Sequence, residues 1–543
     1  MTNTPNAPLI DVRNLVISID GAQIVAGLDL RVHAGQCVAL VGESGAGKSM
    51  TGRALMGLLP EQAASTASAV SILGQEMYGP AGPAPDRAWR GIRGRHVGLV
   101  SQDALVSLDP LRRVGQEVAE PLEIHGLARG RAQRRARVHD LLTQVAMDRP
   151  ERRAKQFPHE LSGGLRQRAL IAAGLAADPE VLIADEPTTA LDATVAAHIL
   201  ELLDRIKRAG TAIILISHDL AAVAQLADHI VVLKDGEVVE QGPRAQIFSA
   251  PGEPYTRELL AAVPTGDPVL GDRRPFDPQA PGDPLLRARD LRKHFPMPGG
   301  RPIVAVADMS VDLHKGQTLG LVGESGSGKS TLARLLLALE KPDRGFVVLD
   351  GVPWNGPGTR ESARRPLRSR IQLIPQDPYS AMNKRWTVAQ IIDEFLRAKG
   401  DTQLASKETR TERIGQLMAQ VGLGQELLER KPGQLSGGQR QRVAIARALA
   451  MEPEILICDE AVSALDVTVQ AQVIELLARL QAELGLAMVF ISHDLAVVRQ
   501  LAHTIVVLKD GEVVEQGPSA QVFATPSHPY TRELLAARRV PAG

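Results

Sequence analysis

Two octapeptides in this chain have the residue types and spacing to hold a polyphosphate. Gly42-Glu43-Ser44-Gly45-Ala46-Gly47-Lys48-Ser49 and Gly323-Glu324-Ser325-Gly326-Ser327-Gly328-Lys329-Ser330 both fit G-x-x-x-x-G-K-[ST]. Glycines let successive backbone N–H groups curl around phosphate oxygens, and the start of a following helix adds positive potential. Lys48 and Lys329 are placed to reach the β- and γ-phosphates of ATP, and the hydroxyls of Ser49 and Ser330 to hold Mg²⁺. Met50 and Thr331, which follow directly, are expected to complete the two nucleotide-binding segments. A single match could be a glycine-rich turn. Two matches, each between an apolar strand and a helix, point to nucleotide binding.

Two acidic pairs add hydrolytic chemistry. Asp185-Glu186 and Asp459-Glu460 close the runs "VLIAD" and "ILICD". The first acid of each pair is expected on Mg²⁺, and the second to orient or deprotonate the water that attacks the γ-phosphate. A lone Asp there would read as a helix N-cap; the pair after four apolar residues, twice over, favours catalysis. His218 and His493 in "SHD" are expected to bond the γ-phosphate and help hold that water. Gln102 ("VSQD") and Gln376 ("IPQD") are candidate sensors of Mg²⁺ and water. A lone His or Gln is more often a structural or surface residue, but each of these occurs twice at the same place. The expected metal set is therefore Ser49, Gln102 and Asp185, and again Ser330, Gln376 and Asp459.

A second kind of anion seat lies downstream. "LSGG" at 161–164 and 435–438 puts Ser162, Gly163 and Gly164, and Ser436, Gly437 and Gly438, at the start of a helix. Leu165 follows in the first copy and Gln439 in the second.

The elements that must carry these residues are written twice. "IVVLKDGEVVEQGP" occurs at 230–243 and, letter for letter, at 505–518; "PYTRELLAA" begins at Pro254 and at Pro529. Motif order is the same in both halves, so the chain is a tandem duplication of a unit of about 260 residues, each large enough to have its own core. The expected domains are 7–263 and 285–540, joined by a Pro-, Gly- and Asp-rich linker over 264–284. Short apolar runs at 37–41, 181–185 and 211–217, and at 318–322, 455–459 and 486–492, read as buried parallel strands between helices. Alternation of that kind predicts an α/β sheet with its ligand at the strands' carboxyl ends.

The order phosphate loop, "SQD" or "PQD", "LSGG", "DE", "ALD" (190–192 and 464–466), "SHD" resembles the ATP-binding-cassette ATPases over nearly the whole chain. The resemblance implies an α/β fold of two tandem P-loop NTPase domains. Each would have a mostly parallel core sheet, an antiparallel β subdomain and a helical subdomain carrying the "LSGG" signature. In that family two such domains pair head to tail, with ATP on one phosphate loop covered by the other domain's signature. Residues 42–49 would then face Ser436–Gln439, and residues 323–330 would face Ser162–Gly164. "GEVVEQGP" followed by "PYTRELL" at each domain's end is similar to the dipeptide, oligopeptide and nickel importers. Fused pairs of this kind resemble the ATPases of glutathione and microcin C-like peptide importers. The resemblance implies two transmembrane permease subunits, an extracytoplasmic solute-binding protein, and a peripheral position on the cytoplasmic face of a bacterial inner membrane. Membrane association would come only through the permeases. Some relatives carry an iron–sulfur cluster in the C-terminal extension; no cysteine lies there, so none is expected. The adenine-stacking aromatic of the family falls on Phe295, while the matching place in the first half is Ile19. The extension itself also has a plainer reading, a short amphipathic helix packing through Tyr255, Leu259 and Leu260, and through Tyr530, Leu534 and Leu535.

Bulk composition agrees. The 543 residues are 44% hydrophobic and 23% charged, with 62 basic and 62 acidic side chains. A balanced charge argues against nucleic-acid binding by bulk positive potential. The two cysteines, Cys37 and Cys458, have no partner at metal-ligand spacing. There is no secretory signal at the N-terminus and no run of about 18 apolar residues. The rival reading is a soluble twin-cassette ATPase acting on ribosomes or nucleic acid. Its relatives carry a long charged helical linker or zinc-binding cysteines, and this chain has neither. The basic run "ARGRAQRRARV" at 128–138 is best read as a solvated helix face, with contact to anionic lipid as a minor alternative.

Overall fold

The computed structural model describes residues 7–79, 82–102, 104–188, 191, 193–263, 276, 282–296, 302–324, 326–404, 406–463 and 465–536. Ser325, Asp103, Ala190, Asp192, Ala464, most of the linker and residues 537–540 lie outside them. The chain divides into two compact units, one running to Val263 and the other ending at Ala536.

Each unit is α/β and holds two sheets. In the first unit the core strands lie in the order Glu237–Pro243, His229–Lys234, Cys37–Gly42, Ala212–Ile216, Val181–Asp185, Val97–Val100. All neighbours pair in parallel except the terminal hairpin. The second unit repeats the order with Glu512–Pro518, Thr504–Lys509, Thr318–Val322, Ala487–Ile491, Ile455–Asp459 and Ile371–Ile374. These strands are near-continuous apolar runs because both faces are covered. Cys37, Ala39 and Val41 face one core cluster, while Val38 and Leu40 face another, as the two-residue period of a strand requires.

That strand order explains how distant motifs meet. The phosphate-loop strand, the "SHD" strand, the "DE" strand and the "QD" strand are consecutive neighbours. Their carboxyl ends lie in one row, where ligands of open parallel sheets bind.

An antiparallel sheet packs on one side. In the first unit it is built on Ile10–Ile19 and Ala22–Val32, in the second on Leu286–Phe295 and Ile303–Leu313. A helical layer lies on the other side. It consists of Val114–Ile124, Gly130–Gln144 and Gly163–Gly174 in the first unit, and of Val388–Lys399, Lys407–Gln420 and Gly437–Leu449 in the second. Val118, Leu122, Leu141 and Leu142 bury the first layer's contact face. The basic run lies on the helix Gly130–Gln144. Arg134 pairs with Glu123 and Arg137 with Asp178, while Arg131 and Arg135 point outward. Among the described residues no helix is long and apolar enough to cross a membrane.

The terminal hairpins turn on Asp235-Gly236 and Asp510-Gly511, with positive φ at both residues of each turn. That geometry matches the right-handed twist of the flanking strands and favours Asp-Gly.

Candidate active site

The phosphate loops begin under tight constraint. Gly42 and Gly323 have φ of 148° and 154°. A Cβ there would sit 2.1 Å from the Leu233 carbonyl oxygen or 2.2 Å from that of Leu508, so only glycine lets the loop leave its strand against the hairpin. Lys48 is buried, and its ammonium donates to the carbonyls of Gly42 and Glu43 at 2.8 and 2.7 Å. Lys329 donates to Gly323 and Glu324 at the same distances. Each loop is thus closed around its own lysine. Ser44, Gly45 and Gly326 line the exposed rim, while Ala46, Gly47 and Ser327 are buried. Met50 packs against the core beneath its loop.

Ser49 Oγ donates to Asp185 Oδ1 at 3.0 Å, and Ser330 Oγ to Asp459 Oδ1 at 3.2 Å. Burial pushes both aspartates above the usual carboxylate range; the serine bond acts the other way, and the adjacent glutamate, Glu186 or Glu460, reinforces the rise. A serine hydroxyl and a carboxylate oxygen held together in this way are hard oxygen donors of the kind that suit Mg²⁺, and Gln102 and Gln376, each bonded to the neighbouring glutamate, are the expected third members of the two sets. The residues placed to hold it are Ser49, Asp185 and Gln102, and Ser330, Asp459 and Gln376. Mg²⁺ bound there would neutralise charge on phosphate oxygens.

Each second acid stands in a strained position. Glu186 and Glu460 have φ of 51° and 46°, a left-handed conformation that costs of order 1–3 kcal/mol for such a residue. Their amides donate to the last strand carbonyls, of Ile216 at 2.8 Å and Ile491 at 3.1 Å. The turn this forces brings each carboxylate back between a glutamine and a histidine. Gln102 Nε2 donates to Glu186 Oε2 at 2.9 Å, and Gln376 Nε2 to Glu460 Oε2 at 2.8 Å. His218 Nδ1 lies 2.9 Å from Glu186 Oε1, but His493 Nδ1 lies 3.7 Å from Glu460 Oε1, an ion-pair distance too long for a hydrogen bond. Burial pushes Glu460 up, yet His493 and Lys329 outweigh it and hold the carboxyl below its ordinary value.

For His218, burial lowers the pKa, but the bond to Glu186 and the charges of Glu186 and Asp219 outweigh it, so the imidazole is raised. The stabilisation carried by this pair is complete below about pH 6.5 and is lost as pH rises through the elevated folded value. A histidine NMR titration should place His218 above the ordinary value, and Glu186→Gln should bring it down. A midpoint that ignores the substitution would remove Glu186 as the cause.

The signatures sit at helix starts. Ser162 Oγ accepts the Leu165 N–H at 3.4 Å, and Ser436 Oγ accepts that of Gln439 at 3.2 Å. Both serines, with Gly163 and Gly437, are exposed; Gly164 is half-buried and Gly438 is buried. Gln439 Oε1 accepts the Ser436 N–H at 3.0 Å, closing a capping box on its own helix. Leu165 cannot make that bond and packs against the core. Phe295 ends its strand with the Lys293 ammonium 5.5 Å from its ring centre. Ile19 ends the corresponding strand of the first unit.

One contact was not anticipated. The Glu43 N–H donates to Tyr255 Oη at 3.3 Å and the Glu324 N–H to Tyr530 Oη at 3.1 Å. These tyrosines lie on the C-terminal helices Pro254–Ala261 and Pro529–Ala536. The repeated "PYTRELL" marked the helices and their apolar face, but an apolar face does not show where a phenol's oxygen ends.

Known protein families and proteins resemble this chain over nearly its whole length. A family model described as ABC transporter matches residues 25–189 and 306–463. A second, described as Oligopeptide/dipeptide transporter, C-terminal region, matches 239–285 and 514–542. The peptidoglycan transport ATP-binding protein YejF of Agrobacterium fabrum is 42% identical over 549 residues, covering 99% of this chain and 97% of that one. The glutathione import ATP-binding protein GsiA of Escherichia coli K12 is 40% identical over 565 residues, covering 98% and 89%. Among solved structures, RNase-L Inhibitor aligns with a TM-score of 0.60 at 20% identity, over 92% of this chain and 88% of that one. That last likeness concerns the fold alone.

Proposed function

The chain belongs to the ABC transporter ATPases, as the ATP-binding subunit of an importer of the oligopeptide and glutathione type, and on that premise we propose that it powers uptake of short peptides or peptide-like solutes through two permease subunits. The observation that carries the peptide reading is the oligopeptide/dipeptide C-terminal region at the end of both cassettes. The relatives' names span peptidoglycan and glutathione transport, which supports a peptide-like cargo without choosing one.

The proposed cycle uses the residues described above. Lys48 and Lys329 exchange their loop carbonyls for nucleotide phosphates. Ser49 with Asp185, and Ser330 with Asp459, supply oxygen ligands for Mg²⁺. Glu186 and Glu460 accept a proton from the attacking water, with His218 and His493 orienting it against the γ-phosphate. The signature serines and glycines, the serines exposed at their helix starts, each cover ATP on the opposite cassette's loop. ATP then draws the two cassettes together, and hydrolysis releases them. Covalent joining raises their effective concentration.

Permeases are proposed to dock near the glutamines. Val106 and Leu111, just beyond Gln102, are 80% and 85% exposed, apolar side chains that a partner would cover. In the second unit an open groove of about 600 Å³ is lined by Trp386 and by Gln390, Asp393, Glu394 and Arg397 of the helix Val388–Lys399, which follows the Gln376 loop. A delivered peptide would come from a solute-binding protein outside the membrane. Affinity purification of the full chain from membranes should bring down two multi-span permeases, and deletion of the chain should abolish growth on defined peptides. Co-purification with ribosomes in place of permeases would contradict the proposal.

A further inference from the structure

Each cassette ends in a short helix that the hydrolytic chemistry does not use. Its tyrosine is nevertheless buried, Tyr255 at 8% and Tyr530 at 3% exposure. The phenol oxygen accepts the N–H of the second residue of the phosphate loop, more than two hundred residues earlier in the chain. The face of each ring carries an ammonium, Lys234 at 4.7 Å and Lys509 at 4.5 Å from the centroid. The start of each helix is tied by an acid. Glu240 accepts the N–H groups of Gly252 and Glu253 at 2.7 and 3.2 Å. Glu515 accepts those of Ser527 and His528 at 2.8 and 3.1 Å, and the Ser527 hydroxyl at 2.9 Å. Burial acts to raise the Glu515 pKa, but the Thr531 hydroxyl together with these donors prevails and brings it down to about 2. It therefore remains a charged acceptor at any working pH.

The lysine and the acid both come from the terminal hairpin, and that hairpin is itself paired with the phosphate-loop strand, Leu233 opposite Gly42 and Val507 opposite Val322. The hairpin therefore anchors a helix that reaches across to hold the loop's entrance. A phosphate loop gathers parallel N–H dipoles that repel one another until an anion arrives. Fixing one of these N–H groups reduces the conformations the loop samples, and so the ordering cost of binding. The arrangement occurs in both cassettes with the same partners.

We propose that the C-terminal extension is a latch that pre-organises the phosphate loop of its own cassette, with Tyr255 and Tyr530 as positioning residues for nucleotide binding. The inference rests on the reading of residues 42–49 and 323–330 as nucleotide loops. The latch acts on ATP and ADP alike, because it holds the loop and not the γ-phosphate.

Tyr255→Phe combined with Tyr530→Phe in the full chain tests it, since phenylalanine keeps the ring, its packing and the lysine contact. ADP affinity, read with a fluorescent ADP analogue, should fall about three- to tenfold, the net effect of losing one hydrogen bond per site. KM for ATP should rise by the same factor with kcat unchanged. Glu240→Gln with Glu515→Gln, which loosens the helix start and keeps the tyrosines, should shift KM in the same direction. An unchanged KM and ADP affinity with a lowered melting temperature or lowered kcat would overturn the latch and leave a packing role only. Lys48→Ala with Lys329→Ala separates the underlying reading: if ADP still binds normally to that variant, the loops are not the nucleotide sites, and the latch falls with them.

Discussion

Replacing Glu186 and Glu460 together by glutamine should cut ATP turnover by about a hundredfold or more while ATP still binds, the range expected on losing a positioned general base. Each carboxylate is set between two groups that define its geometry: Gln102 and His218 for Glu186, Gln376 and His493 for Glu460. Glutamine has the same shape but cannot take a proton from water. Its amide also turns an acceptor toward a donor into a donor–donor or otherwise mismatched contact on one side. The phosphate-loop lysines and the Ser–Asp pairs touch neither change, so the binding half of the cycle is preserved. The single variants should differ, because Glu186 holds its histidine at hydrogen-bond distance and Glu460 does not. Phosphate release and retention of labelled ATP on the same preparation separate the two halves. Undiminished release in the double variant would contradict the roles assigned to both acids.

Much of this arrangement was legible because the chain repeats itself. One "DE" after an apolar run is ambiguous, but two at matching places are not. The apolar runs also announced the central strands, since a strand covered on both faces has no polar alternation to hide it. The neighbour order of those strands was not legible. It emerges from crossover connections, and it alone explains why Gln102 and Glu186, 84 residues apart, meet. Backbone strain was equally invisible, because glutamate does not advertise the left-handed conformation found at 186 and 460 in the way a glycine would. Gln439 illustrates a different limit. Its place beside the signature motif says nothing of the bond its amide oxygen makes to the Ser436 N–H, which only the folded helix start reveals. The tyrosine contact was hidden for the reason that an aromatic ring at an apolar position is fully explained by packing, and its single polar atom leaves no pattern in the sequence.

The second large expectation concerns how the two halves combine. Each cassette carries a phosphate loop and a signature, and the signature serines are exposed where a helix start offers N–H groups. An anion seat that faces outward needs a ligand brought to it. The proposal that each signature completes the other cassette's site gives both seats a use, and it makes ATP the link between the cassettes. It also predicts which residues become neighbours only when ATP is present. Ser44, in the first phosphate loop, should approach Ser436, in the second signature, and should stay remote from Ser162, in its own cassette. Both native cysteines are buried, so introduced thiols can be read with little background once Cys37 and Cys458 are changed to alanine. The decisive measurement is intramolecular cross-linking of Ser44→Cys with Ser436→Cys by a short bifunctional thiol reagent, with and without ATP, on a variant first shown to bind ATP. The account predicts an ATP-dependent cross-link for this pair and none for Ser44→Cys with Ser162→Cys. A cross-link confined to the same-cassette pair, or none for the opposite pair with ATP bound, would contradict it.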